Sequence, residues 1–402
     1  PMTEDSHELQ ARREARFTAL QRAMELARQE QVDFITICGD LFEDNQVSNA
    51  AVHRALHILQ GVAPLPVFLL PGNHDPFCSG SVYRRSAFAP DQLKNVRVLS
   101  TSEPVAFNDQ CTLYPCPVVR KTSTLDPTAG IPPRQRPEEI RIGLAHGSLR
   151  IEGKYNDQDH PIPLEVCQNR DLDYLALGHW HSFYQHGDGR IAYPGTPEQT
   201  SFSETEAGQV LIVSISGPKT VPEIQCQPTG TLNWQEWQRD VSEPVSDTLA
   251  TLRQQVEALA ERDKVLLRLK LDGAVRADSL PLLDDFEDWL GAAGLLRAEM
   301  VNEVKSLDQT EGALKKLVES DEVIAGVVAD LRKLAALDAG GVDESNQEVP
   351  RRSAEELLKM WEECRTISGE DAAQSILKGV QYAEAAQGAL LLLARLAEGV
   401  WR

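Results

Sequence analysis

The sequence predicts an α/β layered domain followed by a small α+β unit and a helical C-terminal region. Three observations carry the prediction. Apolar runs of strand length alternate with stretches of helical periodicity from residue 17 to residue 215. Glycines close several of those runs, as loops require. Past a segment rich in Gly, Pro and Thr at 217–230, the pattern shortens to one helix and one strand and then to helix alone.

The elements follow in order. Phe17, Leu20, Met24 and Ala27 recur at helical spacing, and the polar stretch after them leads into the buried strand pattern Val32-Asp33-Phe34-Ile35-Thr36-Ile37. A helix is expected from Ala51 to Leu59, then the strand Val67-Phe68-Leu69-Leu70, closed by Pro71-Gly72. Further strands are expected at 96–99, 140–145, 173–177 and 209–215, and the later ones can close a second sheet. Beyond the 217–230 boundary, Leu249, Leu252, Val256 and Leu259 share a helical face, and Val265, Leu267, Leu269 and Leu271 alternate as one face of a strand. From Ser306 only helical stretches remain, flanking the polar linker 337–345, and the second opens on the capping box Ser353-Ala354-Glu355-Glu356. The expected organisation is a main domain over 1–228, a small α+β domain over 229–305 and a helical region over 306–402.

Composition narrows the class. The 402 residues are 42% hydrophobic and 25% charged, the balance of an ordinary globular protein rather than a disordered one. The longest apolar run, Ala389 to Ala394, is far short of the roughly 20 residues of a membrane helix, so a cytoplasmic location and no membrane partner are expected. Seven cysteines at irregular spacing form neither a disulfide framework nor a zinc pattern. The formal charge of −21 argues against nucleic-acid binding by counterion release alone. The stretch from Arg120 to Lys154 runs the other way, with seven basic residues against four acids.

Four short segments carry the chemistry, and each ends an apolar strand-like run with side chains that ligate metals. They are Ile37-Cys38-Gly39-Asp40, Pro71-Gly72-Asn73-His74-Asp75, Leu144-Ala145-His146-Gly147 and Leu177-Gly178-His179-Trp180-His181. The carboxyl ends of strands in an open α/β sheet line the site crevice, so the four segments are expected to converge. Carboxylate, amide oxygen and imidazole without thiolate suit manganese, iron or zinc. Two such ions about 4 Å apart clamp a phosphoryl group and activate water for in-line displacement. The expectation is therefore a dinuclear metal site.

In that order the four segments resemble motifs of the calcineurin-like metallophosphoesterases. The wording around them, Val32 through Phe42, the run Gly72 to Pro76, and Tyr193-Pro194-Gly195-Thr196-Pro197-Glu198, resembles the SbcD type of DNA repair nuclease and its YhaO-like branch. The resemblance implies an α/β/β/α metallophosphoesterase sandwich over 1–228 and a capping domain over 229–305; the helical C-terminal region over 306–402 is open to two readings, a bundle core or a docking site for an ATPase partner. The resemblance also implies two divalent metal ions, with manganese preferred. Asp40 would bridge both; Asn73, His146 and His179 would complete the second site, and His181 would serve the first. His74 would stabilise the transition state or protonate the leaving oxygen, with Asp75 orienting its ring. The implied activity is phosphodiester hydrolysis of DNA, as an exonuclease, with an SMC-like ATPase of the SbcC/YhaN type as partner and a homodimer as the assembly.

One motif departs from the pattern. The family opens on Asp-x-His at the end of its first strand, whereas Asp5-Ser6-His7 has only Pro1-Met2-Thr3-Glu4 ahead of it, too few for a buried strand. Counted from Arg12, the expected pair falls at or before residue 1, so Asp5-Ser6-His7 is expected in a loop and helix start. Either an N-terminal strand precedes Pro1 in the natural product, or the first metal is left with Asp40 and His181 and is weak. Two competing functions follow: a phosphoesterase for nucleotides or other small molecules, which the acidic charge favours, and a metal-deficient binding subunit.

Overall fold

The computed structural model describes residues 4–241 and 244–306, with Lys315, Gly326, Val328 and Ala329 as isolated helical positions. The expected linker at 337–345 and the helix capped at Ser353 lie outside the described residues. The described residues fall into two compact units, one running to Gln235 and taking in Asp263–Leu266, the other holding Glu236–Arg262 and the chain from Leu267 on.

In the first unit the order is α1 (Glu4–Gln29), β1 (Ile35–Cys38), α2 (Asn49–Gln60), β2 (Val67–Leu70), β3 (Val96–Val98), β4 (Val105–Ala106), β5 (Cys111–Cys116), β6 (Ile140–His146), α3 (Val166–Arg170), β7 (Tyr174–Gly178), β8 (Tyr184–His186), β9 (Ile191–Tyr193), β10 (Gln209–Ser214) and β11 (Glu223–Pro228). The strand β12 (Asn233–Val241) crosses the boundary, and α4 (Val245–Glu257), β13 (Val265–Val275), α5 (Leu280–Gly291), β14 (Arg297–Asn302) and β15 (Lys305–Ser306) follow.

Strand alternation builds the layers. Parallel strands β1, β2 and β3 form one sheet; β4, β5, β6, β7, β9 and β8 lie side by side in the other, with β5, β6, β7 and β9 parallel. Successive side chains of a strand face opposite ways. Val67 and Leu69 of β2 pack with Met24 of α1 and with Val52, Ala55, Leu56 and Leu59 of α2. Phe68 and Leu70 turn the other way, onto Leu113, Ile142, Leu144 and Tyr174 of the second sheet. That sheet's outer face, with Ala145, Leu175, Leu177 and Tyr193, is covered by Val166 and Cys167 of α3 and by Leu149 and Ile162. The unit is thus an α/β/β/α sandwich. Burying each leucine of these layers contributes about 1.5–3 kcal/mol relative to exposure.

Several elements differ from the sequence reading. The first helix begins at Glu4 rather than near Phe17 and takes in Asp5-Ser6-His7. Its first turns lack an apolar face but are rich in Glu, Gln, Ala, Leu and Arg, strong helix formers, and Glu8 pairs with Arg12 one turn on at 3.1 Å. The 217–230 segment contains β11, an antiparallel partner of β10 in the register Gln209↔Pro228 to Ser214↔Glu223. Its sequence, EIQCQP, is polar on its exposed side and carries no strand signal.

The second unit holds a sheet of β12, β13, β14 and β15. Leu267, Leu269 and Leu271 of β13 are fully buried, as are Leu283 and Phe286 of α5. The alternate positions carry charge: Arg268 pairs with Glu236 at 3.5 Å and with Glu299 at 3.1 Å, and Lys270 with Glu236 at 2.7 Å.

Candidate metal centre

The parallel register delivers the four segments to one edge. Cys38 stands opposite Leu70 at the ends of β1 and β2, and His146 opposite Gly178 at the ends of β6 and β7. Each chain leaves its strand there, carrying Asp40, Asn73, His146 and His179 into a common space. The approach is close: a side chain at Gly178 would collide with the Cys38 carbonyl oxygen, and one at Gly72 with the Asp40 carboxylate. Asp40 and His179 take positive φ, 54° and 106°. Such backbone costs about 1–3 kcal/mol per residue and gathers at functional sites.

The ligating atoms face one another. His146 Nδ1 meets the Cys38 carbonyl at 2.8 Å, which turns Nε2 toward the other segments. That nitrogen lies 2.7 Å from Asn73 Oδ1 and 3.2 Å from Asp40 Oδ2. His179 Nδ1 lies 3.2 Å from the same Asn73 oxygen. A proton on either imidazole would answer these contacts one at a time. A divalent cation answers all of them at once, and the mixture of carboxylate, amide oxygen and imidazole is the donor set such ions take. Asp40, His146 and His179 can each offer a ligand atom within 4.8 Å of the others.

Electrostatics point the same way. Burial raises the Asp40 carboxyl, but the His146 hydrogen bond and charge and the His74 backbone N–H at 2.9 Å outweigh it and hold the group below its ordinary range. Burial, reinforced by His146, pushes His179 down to about 4, so it is neutral at physiological pH. Its Nε2 is 3.9 Å from Asp159 Oδ2.

Asp75 has a different task from the one expected. It is fully buried and accepts four hydrogen bonds: from the backbone N–H of Gly72 at 2.8 Å, Asp40 at 3.2 Å and Phe42 at 3.1 Å, and from the Tyr83 hydroxyl at 2.6 Å. The carboxylate therefore staples the loop after β1 to the loop after β2. Burial, with Asp40 nearby, raises its carboxyl against the pull of those donors. It does not orient the His74 ring. His74 Nδ1 instead meets the Glu43 carbonyl oxygen at 3.0 Å, with the Glu43 carboxylate 3.8 Å away.

His181 lies outside the cluster of Asp40, His146 and His179. Its side chain is 56% exposed, and its Nδ1 donates to Glu204 Oε1 at 2.8 Å, a contact that raises its pKa. Between the two histidines, Trp180 stacks on Tyr193 at 4.5 Å and donates to Ser148 Oγ at 3.1 Å. The Tyr193 hydroxyl donates to the Gly147 carbonyl at 2.7 Å. These contacts pin the loop that follows His146. Asp5 and His7 stand in the first turns of α1 rather than at a strand end.

Comparison with known proteins agrees with this arrangement. Residues 5–183 match the calcineurin-like phosphoesterase family, a span that includes every strand-end segment described above. Over that span the chain is similar to that family. The chain is also similar to the SbcD subunit of the SbcCD nuclease of Staphylococcus epidermidis, 24% identical over an alignment of 203 residues, gaps included, that covers 44% of this chain and 53% of the relative. The chain thus spans about half the length of that curated relative. Among the described residues no helix is long and apolar enough to cross a membrane.

The sequence alone did not single out Glu43, Tyr83, Asp159 or Glu204. Glu43 acts through its backbone carbonyl, Tyr83 comes from the short 3-10 helix Val82–Arg84, and Asp159 and Glu204 reach the site from loops with no motif of their own.

Proposed function

We propose that this protein is a metal-dependent DNA nuclease subunit that hydrolyses phosphodiester bonds and works in DNA repair with an SMC-like ATPase of the SbcC/YhaN type. The observation that carries the reading is the convergence of Asp40, Asn73, His146 and His179 at the strand ends, with their oxygen and nitrogen atoms facing one another at 2.7–3.2 Å. The relative from Staphylococcus epidermidis is named as one subunit of a nuclease, which supports both the activity and the partner subunit.

Two divalent ions, manganese by preference, would supply Lewis-acid activation of water and neutralise charge on the phosphoryl group. Asp40 would bridge them; Asn73, His146 and His179 would hold one and His181 would contact the other. His74, its Nδ1–H on the Glu43 carbonyl, would in its imidazolium form donate the Nε2 proton to the leaving oxygen and be left neutral. Asp75 keeps the Asp40 and Asn73 loops in register and is a positioning residue. A homodimer in the cytoplasm completes the proposal.

Linear duplex DNA incubated with the full chain and manganese tests it. Shortened products are expected, lost in Asp40→Asn. No cleavage by the chain, alone or with its ATPase, overturns it. The formal charge of −21 favours a second reading, hydrolysis of small phosphoesters such as nucleotides. Fast turnover of those esters with DNA untouched would establish that one instead.

A further inference from the structure

Among the described residues, Glu204 is the one carboxylate near the metal centre with every oxygen engaged by the chain itself and one imidazole on its rim. Only 8% of the residue is exposed. Oε2 accepts from the Thr200 backbone N–H at 2.6 Å and from the Thr196 hydroxyl at 3.4 Å; Oε1 accepts from the Thr200 hydroxyl and from His181 Nδ1 at 2.8 Å. With Nδ1 taken up by the carboxylate, Nε2 is the ring nitrogen left to meet a metal.

The loop around this pair is built to hold it. The Thr196 N–H donates to the His181 carbonyl at 3.0 Å, and the Thr205 N–H to Ser182 Oγ at 3.0 Å. Gly195, at φ 78°, passes so near the His181 carbonyl that a Cβ there would stand 2.8 Å from it. From the other side, Arg12 of α1 donates to the Thr200 carbonyl at 2.6 Å while its guanidinium lies 5.2 Å over the Trp234 ring. A chain of contacts therefore runs from Trp234 through Arg12, Thr200 and Glu204 to His181.

We propose that Glu204 is the positioning residue that makes His181 a metal ligand, fixing its tautomer and ring direction so that Nε2 faces the ion beside Asp40. The inference rests on the metal-centre reading of the proposed function. Charge supports it: Asp40 and Glu43 are the next carboxylates to act on His181, so the ring stands in a field that draws a cation. A carboxylate behind a ligating imidazole also raises its basicity, and loss of such a partner typically costs about 10–100-fold in metal affinity.

The test is Mn²⁺ titration of the full chain, free Mn²⁺ being counted by electron paramagnetic resonance, for the wild type, Glu204→Gln, His181→Ala and the double variant. The wild type is expected to show a tight ion and a weaker one. Glu204→Gln should weaken the weaker ion about 10–100-fold and leave the tight ion unchanged. Added to His181→Ala, it should have almost no further effect, because the two act as one unit. Thr200→Val, which removes only a hydroxyl donor, should shift the same ion in the same direction by less and serves if Glu204→Gln does not fold. Equal affinities in Glu204→Gln and wild type, additive losses, or a lower melting temperature with unchanged Mn²⁺ binding would each overturn the proposal. One ion in the wild type also overturns it, and none at all overturns the metal-centre reading with it.

Discussion

The two halves of the candidate centre are assembled in different ways. Asp40, Asn73, His146 and His179 arrive on four strand ends, and backbone groups hold two of them: the Cys38 carbonyl behind His146 and the His74 N–H on Asp40. His181 stands on the same loop as His179 but leans on a side-chain carboxylate, Glu204, from a loop more than 20 residues away. The first arrangement is fixed by sheet register. The second depends on a few hydrogen bonds in one loop. Ligands placed by parallel strands come as a set, whereas a ligand placed by a loop needs its own support.

The largest expected effect breaks the first half. Asp40→Ala or His146→Ala should lower phosphodiester hydrolysis by on the order of 10²–10³-fold, measured as turnover at saturating Mn²⁺, because each removes a preorganised charge or ligand that no neighbour replaces. Equal turnover in either variant would remove the cluster from the reaction. His74→Ala should lower turnover too, by on the order of 10²-fold, while Mn²⁺ affinity stays at the wild-type value; a parallel loss of affinity would make His74 a ligand instead.

Next comes the staple between the two loops. Asp75→Ala leaves three backbone N–H groups and the Tyr83 hydroxyl without their buried acceptor and should cost about 3 kcal/mol or more in urea unfolding. Tyr83→Phe removes one donor of the four and should cost about 1 kcal/mol. Near-equal stabilities of the two variants would mean that the backbone contacts carry little.

The smallest effect sharpens the contrast with the surface. Glu14 and Arg54 meet at 2.6 Å on the helical layer, but their side chains are 51% and 44% exposed. The guanidinium hydrogen bond lowers the Glu14 carboxyl, so the pair's contribution is present above the usual carboxylate range and fades as the pH falls through the folded pKa. In solvent it is worth about 0.5 kcal/mol or less, and Glu14→Gln should move the urea midpoint barely at all.

What could be read from the sequence follows the same division. The glycine-flanked ligands on apolar strands were legible because strand burial, turn and ligand type coincide within a few residues, as in Gly72-Asn73-His74-Asp75. The core alternation of β2, with Val67 and Leu69 one way and Phe68 and Leu70 the other, was equally plain. The role of Asp75 was not, since a carboxylate next to a histidine in sequence need not touch it in space, and here it turns inward to three backbone N–H groups. Glu204 was illegible because its pairing with His181 is made by the fold of a loop. The first turns of α1 and the strand β11 escaped because neither buries an apolar face strong enough to show a period.

Isothermal titration of the full chain with Mn²⁺, beside Asp40→Ala and Asn73→Ala, tests the central claim most directly. If the strand-end cluster is a divalent metal centre, the wild type binds with measurable heat and gains thermal stability by mass action, about 2.7 kcal/mol at a hundredfold excess over Kd. Both variants should lose the binding and the stabilisation together. A wild type that takes up no Mn²⁺, or variants that bind it as tightly as the wild type, would contradict the assignment of the site.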